Sequence, residues 1–266
     1  MIEGKNIWKS FGEDTILERL NFKVKKGEFV TLVGTSGCGK STLLNMLLGT
    51  SAPTKGKLLL DGKAIPDQPN ADRGIVFQHY SVFPHMTVLE NVVATRGFQK
   101  KGVTGYLFGS DKKKAVAEAK SMLEQVGLTH VFNKYPNDLS GGMRQRLAIA
   151  QTLLANPRVL LLDEPFGALD AQTREHLQFQ LMEINKSEQK TTIFVTHDVE
   201  EAILLADHIV IFSARPAQVV KKIDVNAAIP VSERQNRIAD PQKFFSLRNE
   251  ILEIIRAEYH QTVAAG

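Results

Sequence analysis

A chain of 266 residues can bury a full core and hold one or two domains. It is 43% hydrophobic and 23% charged, the balance of an ordinary globular protein, and its net charge of +4 is weak grounds for a nucleic-acid partner. The longest basic run, Lys112-Lys113-Lys114, opens a predicted helix as a solvated face, and the single cysteine, Cys38, excludes disulfides within the chain and multi-cysteine metal sites. The first residues carry no apolar signal region and no apolar run reaches about 18 residues, so the expectation is a protein of a reducing, intracellular compartment that neither spans a membrane nor is exported.

Residues 17–24 set Leu17, Leu20, Phe22 and Val24 against Glu18, Arg19 and Lys23, roughly the alternation of a half-buried strand. Lys26-Gly27 turns the chain into an apolar strand, Phe29 to Val33, which runs into a glycine-rich loop and a helical stretch from Ser41 to Leu48. Lys57 to Asp61 reads as a strand closed by an Asp-Gly turn. Further strands are expected at 74–77, 159–162, 192–195 and 208–212. Helical patterns lie at about 86–95, 111–127, 140–155, 171–188 and 198–206; for the second, Asp111 reads as N-cap and Gly127 as C-cap. Strands alternating with helices define an α/β core with a mainly parallel sheet. From 86 to 155 the strands stop, which marks a helical subdomain inserted into that core. The tail from Asp240-Pro241, a good cap and first-turn pair, carries Phe244, Phe245, Leu247, Ile251, Leu252, Ile254 and Ile255 and is expected to form a helix packed on the core.

The glycine-rich loop reads Gly34, Thr35, Ser36, Gly37, Cys38, Gly39, Lys40, Ser41, and it meets the pattern G-x-x-x-x-G-K-[ST] at every fixed position between a strand and a helix. Its glycines let backbone amides turn onto phosphate oxygens, and the helix N-terminus behind them adds its dipole. Lys40 should reach the β- and γ-phosphates, Ser41 should ligate Mg²⁺, and Thr42 falls near the α-phosphate. The strand at 159–162 ends in Asp163 and Glu164. Asp163 fits a magnesium residue and Glu164 a base for an attacking water, although adjacent acids after a strand can also be a helix-start cap. Ser140, ahead of Gly141 and Gly142, is a natural N-cap whose glycines let amides approach an anion.

Leu139-Ser140-Gly141-Gly142-Met143, about twenty residues before the Asp163-Glu164 strand, resembles the signature of the ATP-binding-cassette (ABC) family. Other family elements follow in order over residues 2–225: Phe11 at the adenine-stacking position, Gln78 of the Q-loop, Ala168-Leu169-Asp170 of the D-loop and His197 as the switch histidine. The resemblance implies the ABC ATPase fold, a P-loop NTPase core with an N-terminal antiparallel β portion, in a domain of residues 1–225 followed by a helical extension of 226–266. It implies ATP and Mg²⁺ as cofactors, with Ser41, Gln78 and Asp163 at the metal and Gln78, Glu164 and His197 in catalysis. Ser140, Gly141, Gly142 and Met143 would meet the ATP held by a second subunit, a homodimer being the implied assembly, as would the D-loop through Asp170. Met143 stands where the family commonly has Gln, and its side chain cannot donate the same hydrogen bonds. Read without the family, Phe11 competes with Trp8 and with a core role, and His197 with a structural one.

Within the family, residues 76–92 resemble importer cassettes; Ser213-Ala-Arg215-Pro216 and the tail resemble the nitrate/sulfonate/taurine importer group. That implies an ATPase at the inner face of the cell membrane, working with integral-membrane permease subunits and, through the complex, a solute-binding protein. The alternatives are a cassette ATPase acting on DNA or ribosomes, whose usual coiled-coil insertions and zinc cysteines this sequence lacks, and a scaffold that binds ATP without turnover. Tyr80, Val82, Phe83 and Met86 line either a groove for a permease helix or a satellite core; Phe98, Tyr106, Leu107 and Phe108 either touch a membrane partner or cap the helices.

Overall fold

In a computed structural model of the chain, the described residues are all but 79–80, 102–106, 235–240 and 266. The fold is α/β, and the chain divides into two compact units, Met1–Asn70 with Met182–Gly266, and Ala71–Leu181.

The first unit contains strands β1 (Ile2–Phe11), β2 (Asp14–Val24), β3 (Phe29–Val33), β4 (Lys55–Leu60), β5 (Lys63–Ala64), β8 (Thr191–Val195), β9 (His208–Phe212) and β10 (Val219–Asp224). An antiparallel sheet runs in the order β2-β1-β4-β5. In β2, Ile16, Leu17, Leu20 and Val24 are buried and Phe22 is half-buried. The alternation slips between Leu17 and Leu20 because Arg19 has a left-handed backbone, φ 50°. In the other sheet, β3 pairs parallel with both β8 and β9, and β10 closes antiparallel on β9. All five residues of β3 and of β8 are buried, which is why both read as unbroken apolar or β-branched runs. Helix α1 (Lys40–Leu48) follows β3.

Three shorter helices follow β8 in this unit: α6 (Val199–Leu205), α7 (Val225–Ala228) and α8 (Val231–Arg234). Arg234 is only 2% exposed, and burial depresses its pKa. Its guanidinium donates to the carbonyl of Ile203 at 3.0 Å, to that of Ala206 and to Asn226 Oδ1, satisfying the C-terminus of α6 with a positive charge. The tail is helix α9 (Pro241–Ala265), which packs on α6 and β9 with Leu247 and Ile251 buried. Ion pairs Arg248–Glu200 at 3.0 Å and Lys221–Glu250 at 2.7 Å flank that face. Asp240, expected as its cap, lies outside the described residues.

In the second unit, β6 (Arg73–Val76) pairs parallel with β7 (Val159–Asp163), beside helices α2 (Val88–Lys101), α3 (Gly109–Gln125) and α4 (Gly141–Leu154). Each of these three helices contacts the other two, and α5 (Ala171–Glu188) carries the chain back to the first unit. Two details differ from expectation. Helix α3 begins at Gly109, so Asp111 lies in its first turn rather than capping it, where its charge still favours the helix N-terminus. Helix α2 extends to Lys101, absorbing the start of the 97–110 segment; Leu107 turns inward at 7% exposure and Phe108 outward at 76%. Tyr106 is outside the described residues. At the other end, Gly127 (φ 69°) donates to Glu124 and Leu128 to Leu123, a Schellman closure that needs the glycine. Arg146 adds a hydrogen bond to the Val126 carbonyl at 3.1 Å.

The segment before α2 is tied down by one buried side chain, Asn91. Its amide nitrogen donates to the carbonyls of Phe83, Met86 and Thr87, at 2.9–3.0 Å, while its oxygen accepts from the Phe83 amide at 2.7 Å. Gln151 of α4 donates to Asn91 at 3.1 Å. Truncating a fully bonded buried amide strands its partners, at about 1–3 kcal/mol each. Asn91→Ala is therefore expected to lower the thermal midpoint by at least about 5 °C, at roughly 2–4 °C per kcal/mol for a chain this long. A midpoint within about 2 °C of wild type would show that Asn91 does not organise this segment.

Candidate functional site

The loop at residues 34–41 leaves β3 and enters α1 under tight steric constraint. Gly34 has φ 154°, Gly37 φ 74° and Gly39 φ 117°. A Cβ on Gly39 would lie 2.6 Å from Leu17 Cδ2, and one on Gly34 2.9 Å from the Phe212 carbonyl oxygen. Glycine is thus demanded by close approach to β2 and β9, not only by turn geometry. Lys40 is buried, and its ammonium donates to the Gly34 and Thr35 carbonyls at 2.9 Å each, with Cys38 Sγ at 3.6 Å. Ser36, Gly37 and Ser41 are exposed and Thr42 is half-buried.

His197 sits on the neighbouring strand end. Leu32 of β3 pairs with Val195 of β8, and the Thr196 amide reaches the Leu32 carbonyl, so Gly34 and His197 emerge at the same carboxyl edge of the sheet. The turn carrying exposed His197 is locked from below. Thr196 Oγ1 donates to buried Glu201 at 2.7 Å and accepts from the Asp198 amide at 3.0 Å. Asp198 caps α6 by accepting from the Glu200 and Glu201 amides. At the end of β1, Phe11 is 56% exposed with Lys9 Nζ 4.8 Å from its ring centre, so it is not a core residue. The Trp8 ring is flanked instead by Arg19 and Lys55.

In the second unit, Gln78 and Glu164 are placed by the same logic. Val76 of β6 pairs with Leu162 of β7, and two residues beyond each, Gln78 Nε2 donates to Glu164 Oε2 at 3.4 Å. Glu164 has a left-handed backbone, φ 48°, an uncommon state for a non-glycine residue and a form of strain that concentrates at functional sites. Asp163 precedes it, half-buried, as the last residue of β7.

Ser140 caps α4 as expected, its hydroxyl accepting from the Met143 amide at 3.3 Å. Gly142 abuts the D-loop: a Cβ there would stand 3.3 Å from the Ala168 carbonyl oxygen. Asp170 accepts from the Thr173 amide at 2.9 Å and so caps α5; that bond holds its carboxyl below the usual carboxylate range. The donors proposed for a cation, the Ser41 hydroxyl, the Asp163 carboxylate and the Gln78 amide oxygen, are hard oxygens of the kind magnesium takes. Among the described residues no cluster of three or more His, Cys, Asp or Glu stands ready to hold a metal ion. Sequence reasoning missed Asn91 as an organiser and the Thr196–Glu201 lock; an N-cap pattern at Asp198 was the one available signal for the latter.

This arrangement is shared. The family model for ABC transporters matches residues 17–167, and the chain belongs to that family. It is an ABC ATPase cassette. An aliphatic sulfonates import ATP-binding protein of Bacillus anthracis is 43% identical over 94% of this chain and 92% of its own length. A bicarbonate transport ATP-binding protein of Synechocystis is 43% identical over 93% of this chain, which spans 36% of that longer protein. The solved dimeric structure of a bacterial ABC transporter cassette superposes with TM-score 0.75 and 33% identity over 85% of this chain and 99% of its own. A post-hydrolysis form of that cassette, bound to ADP and phosphate, matches with TM-score 0.75 and 32% identity.

Replacing Thr196 by Val removes the hydroxyl that bridges Glu201 and the Asp198 amide while keeping the side-chain shape. A hydrogen bond to a charged group contributes about 1.5–3 kcal/mol. Hydrogen exchange at amides 198–201 is therefore expected to speed up about tenfold or more. Unchanged protection of those amides would mean that the turn under His197 is held by other contacts.

Proposed function

We propose that the chain hydrolyses ATP to drive uptake of a small anionic solute, of the sulfonate or nitrate kind, through separate permease subunits. The observation that carries this reading is the near-full-length, 43% identity to a sulfonate-import ATP-binding protein, combined with the ordered cassette motifs. That relationship also disfavours a role on DNA or ribosomes. In this reading residues 1–225 are the ATPase domain and 226–266 a C-terminal extension.

Residues 34–39 cradle the phosphates with backbone amides, Lys40 places its charge beside the β- and γ-phosphates, Thr42 lies near the α-phosphate and Phe11 stacks on adenine. Mg²⁺, held by Ser41, Asp163 and Gln78, would neutralise developing charge on the phosphoryl oxygens. Glu164 orients the attacking water and takes its proton as the new oxygen–phosphorus bond forms and the bond to the ADP oxygen breaks. Gln78 steadies that carboxylate, and His197, set at the same sheet edge as the loop, contacts the γ-phosphate. Ser140, Gly141 and Gly142 present amides to the γ-phosphate of ATP bound by a second copy, while Met143 offers no side-chain donor. Asp170, in the D-loop packed on Gly142, belongs to the same interface. Two ATP molecules sandwiched head to tail close the pair, and closure is transmitted to the permease; a solute-binding protein joins through the complex. The cassette then works at the cytoplasmic face of the membrane; among the described residues no helix is long and apolar enough to cross it.

Glu164→Gln should keep ATP binding and lose about 10²–10⁴-fold in hydrolysis, measured as phosphate release. Turnover near the wild-type rate would remove Glu164 from the role of base. The permease contact is assigned to the segment after Gln78. Its Val82, Phe83 and Met86 are half-buried, and Phe83 packs against Phe98 with ring centres 5.8 Å apart, leaving Phe98 39% exposed; Tyr80 lies outside the described residues. Phe83→Asp keeps the backbone bonds to Asn91, so the isolated subunit should fold and hydrolyse ATP yet fail to co-purify with its permease. Normal co-purification would reject this surface, and loss of fold or of basal ATPase activity would reveal a satellite core.

A further inference from the structure

We propose that the C-terminal half of α9 is part of the nucleotide site, with Arg256 an anion-binding residue for the triphosphate and Tyr259 a wall of the same cleft. This rests on residues 34–41 being the phosphate-binding loop.

The cleft is open and holds about 710 Å³, within the range of small-ligand sites. One wall is the outer half of the glycine-rich loop, residues 35–38. A second is Ala214 with Arg215, in the connection from β9 to β10, and the third is Ile255, Arg256 and Tyr259 of α9. All three walls are braced. The second is bonded to β2, where the Glu18 amide donates to the Ala217 carbonyl at 3.0 Å and the Ala217 amide to Ile16 at 2.8 Å. The third extends one to two turns past Ile251, which is fully buried.

The charges in this cleft are of one sign. Its lining contains two guanidinium groups and no carboxylate. Arg215 is shared with Asp14 at 3.8 Å. Arg256 is exposed and forms no hydrogen bond or ion pair among the described residues. A planar guanidinium fork beside phosphate-binding amides suits a polyphosphate, because its paired N–H groups match two oxygens at once. Tyr259 keeps 57% of its surface exposed at the cleft, an amphipathic ring that covers a ligand while its hydroxyl stays wet. Neither side chain belongs to the buried face of α9, formed by Leu247 and Ile251, so both can be changed without removing the helix's anchors.

The test is calorimetric titration of full-length protein with MgATP, with the unfolding midpoint of the nucleotide-free protein measured in parallel. Arg256→Ala should weaken binding about tenfold at low salt, less at high salt, with an unchanged midpoint. Arg256→Lys should recover part of the loss and Tyr259→Ala should weaken binding a few-fold. Lys40→Ala reports on the loop itself. If Lys40→Ala weakens binding while Arg256→Ala stays within twofold of wild type, this inference fails and the loop assignment stands. If Lys40→Ala binds MgATP as wild type does, the loop assignment falls and the inference with it. Tighter binding by Arg256→Ala would make α9 an obstruction, and weaker binding with a lowered midpoint that lysine does not rescue would make Arg256 structural; either overturns the proposal.

Discussion

Close approach of the glycine-rich loop to β2 and β9 is the constraint on which the first unit's architecture turns. Side chains are excluded at Gly34 by the Phe212 carbonyl and at Gly39 by Leu17 and Ile16. That contact presses the loop between the two sheets of the unit and fixes the direction in which α1 leaves it. The β9–β10 connection is bonded to the same part of β2, so loop, antiparallel sheet and connection form one rigid set. A phosphate cradle gains from such rigidity because its amides need no reorganisation when charge arrives.

The second unit is organised by a different device, polar side chains that close the ends of its segments, of which Asn91 is fully buried, Arg146 half-buried and Asp170 exposed. Asn91 closes the segment from Phe83 to Thr87, Arg146 closes the end of α3, and Asp170 opens α5. A buried polar group such as Asn91 is costly to bury singly and stabilising only when its partners are met. Asn91 makes residues 83–87 a shaped surface rather than a loose loop.

Much of this was legible in the chain itself. The loop, the parallel strands, the Ser140 cap and the Asp163-Glu164 strand end all announce themselves, because their physics is local: a fixed spacing, an apolar run, a hydroxyl before two glycines. What stayed hidden depends on distant partners. Strand β1 is implied by the family resemblance but not visible in its residue pattern: Asn6 at φ 50° breaks its alternation, and Lys5 and Asn6 are exposed mid-strand. Strand β10, with Lys221 and Lys222 exposed on an edge, reads as polar loop. Arg234 looks like a surface residue and is among the most buried side chains, since only the folded chain brings the end of α6 to it. The Asp111 cap failed for a related reason: α3 starts at Phe108-Gly109, where no capping side chain marks the boundary.

The central claim is that one nucleotide is held by the loop of one chain and the Ser140 turn of another. It is tested most directly by mixing two inactive variants. Lys40→Ala damages the loop and spares the turn; Ser140→Ala does the reverse. In a mixed dimer one composite site has both halves intact and the other has neither. The account predicts that neither variant alone forms an ATP-dependent dimer in sedimentation velocity, and that the mixture does. Absence of a dimer in the mixture, with the wild-type protein dimerising under the same conditions, would contradict it.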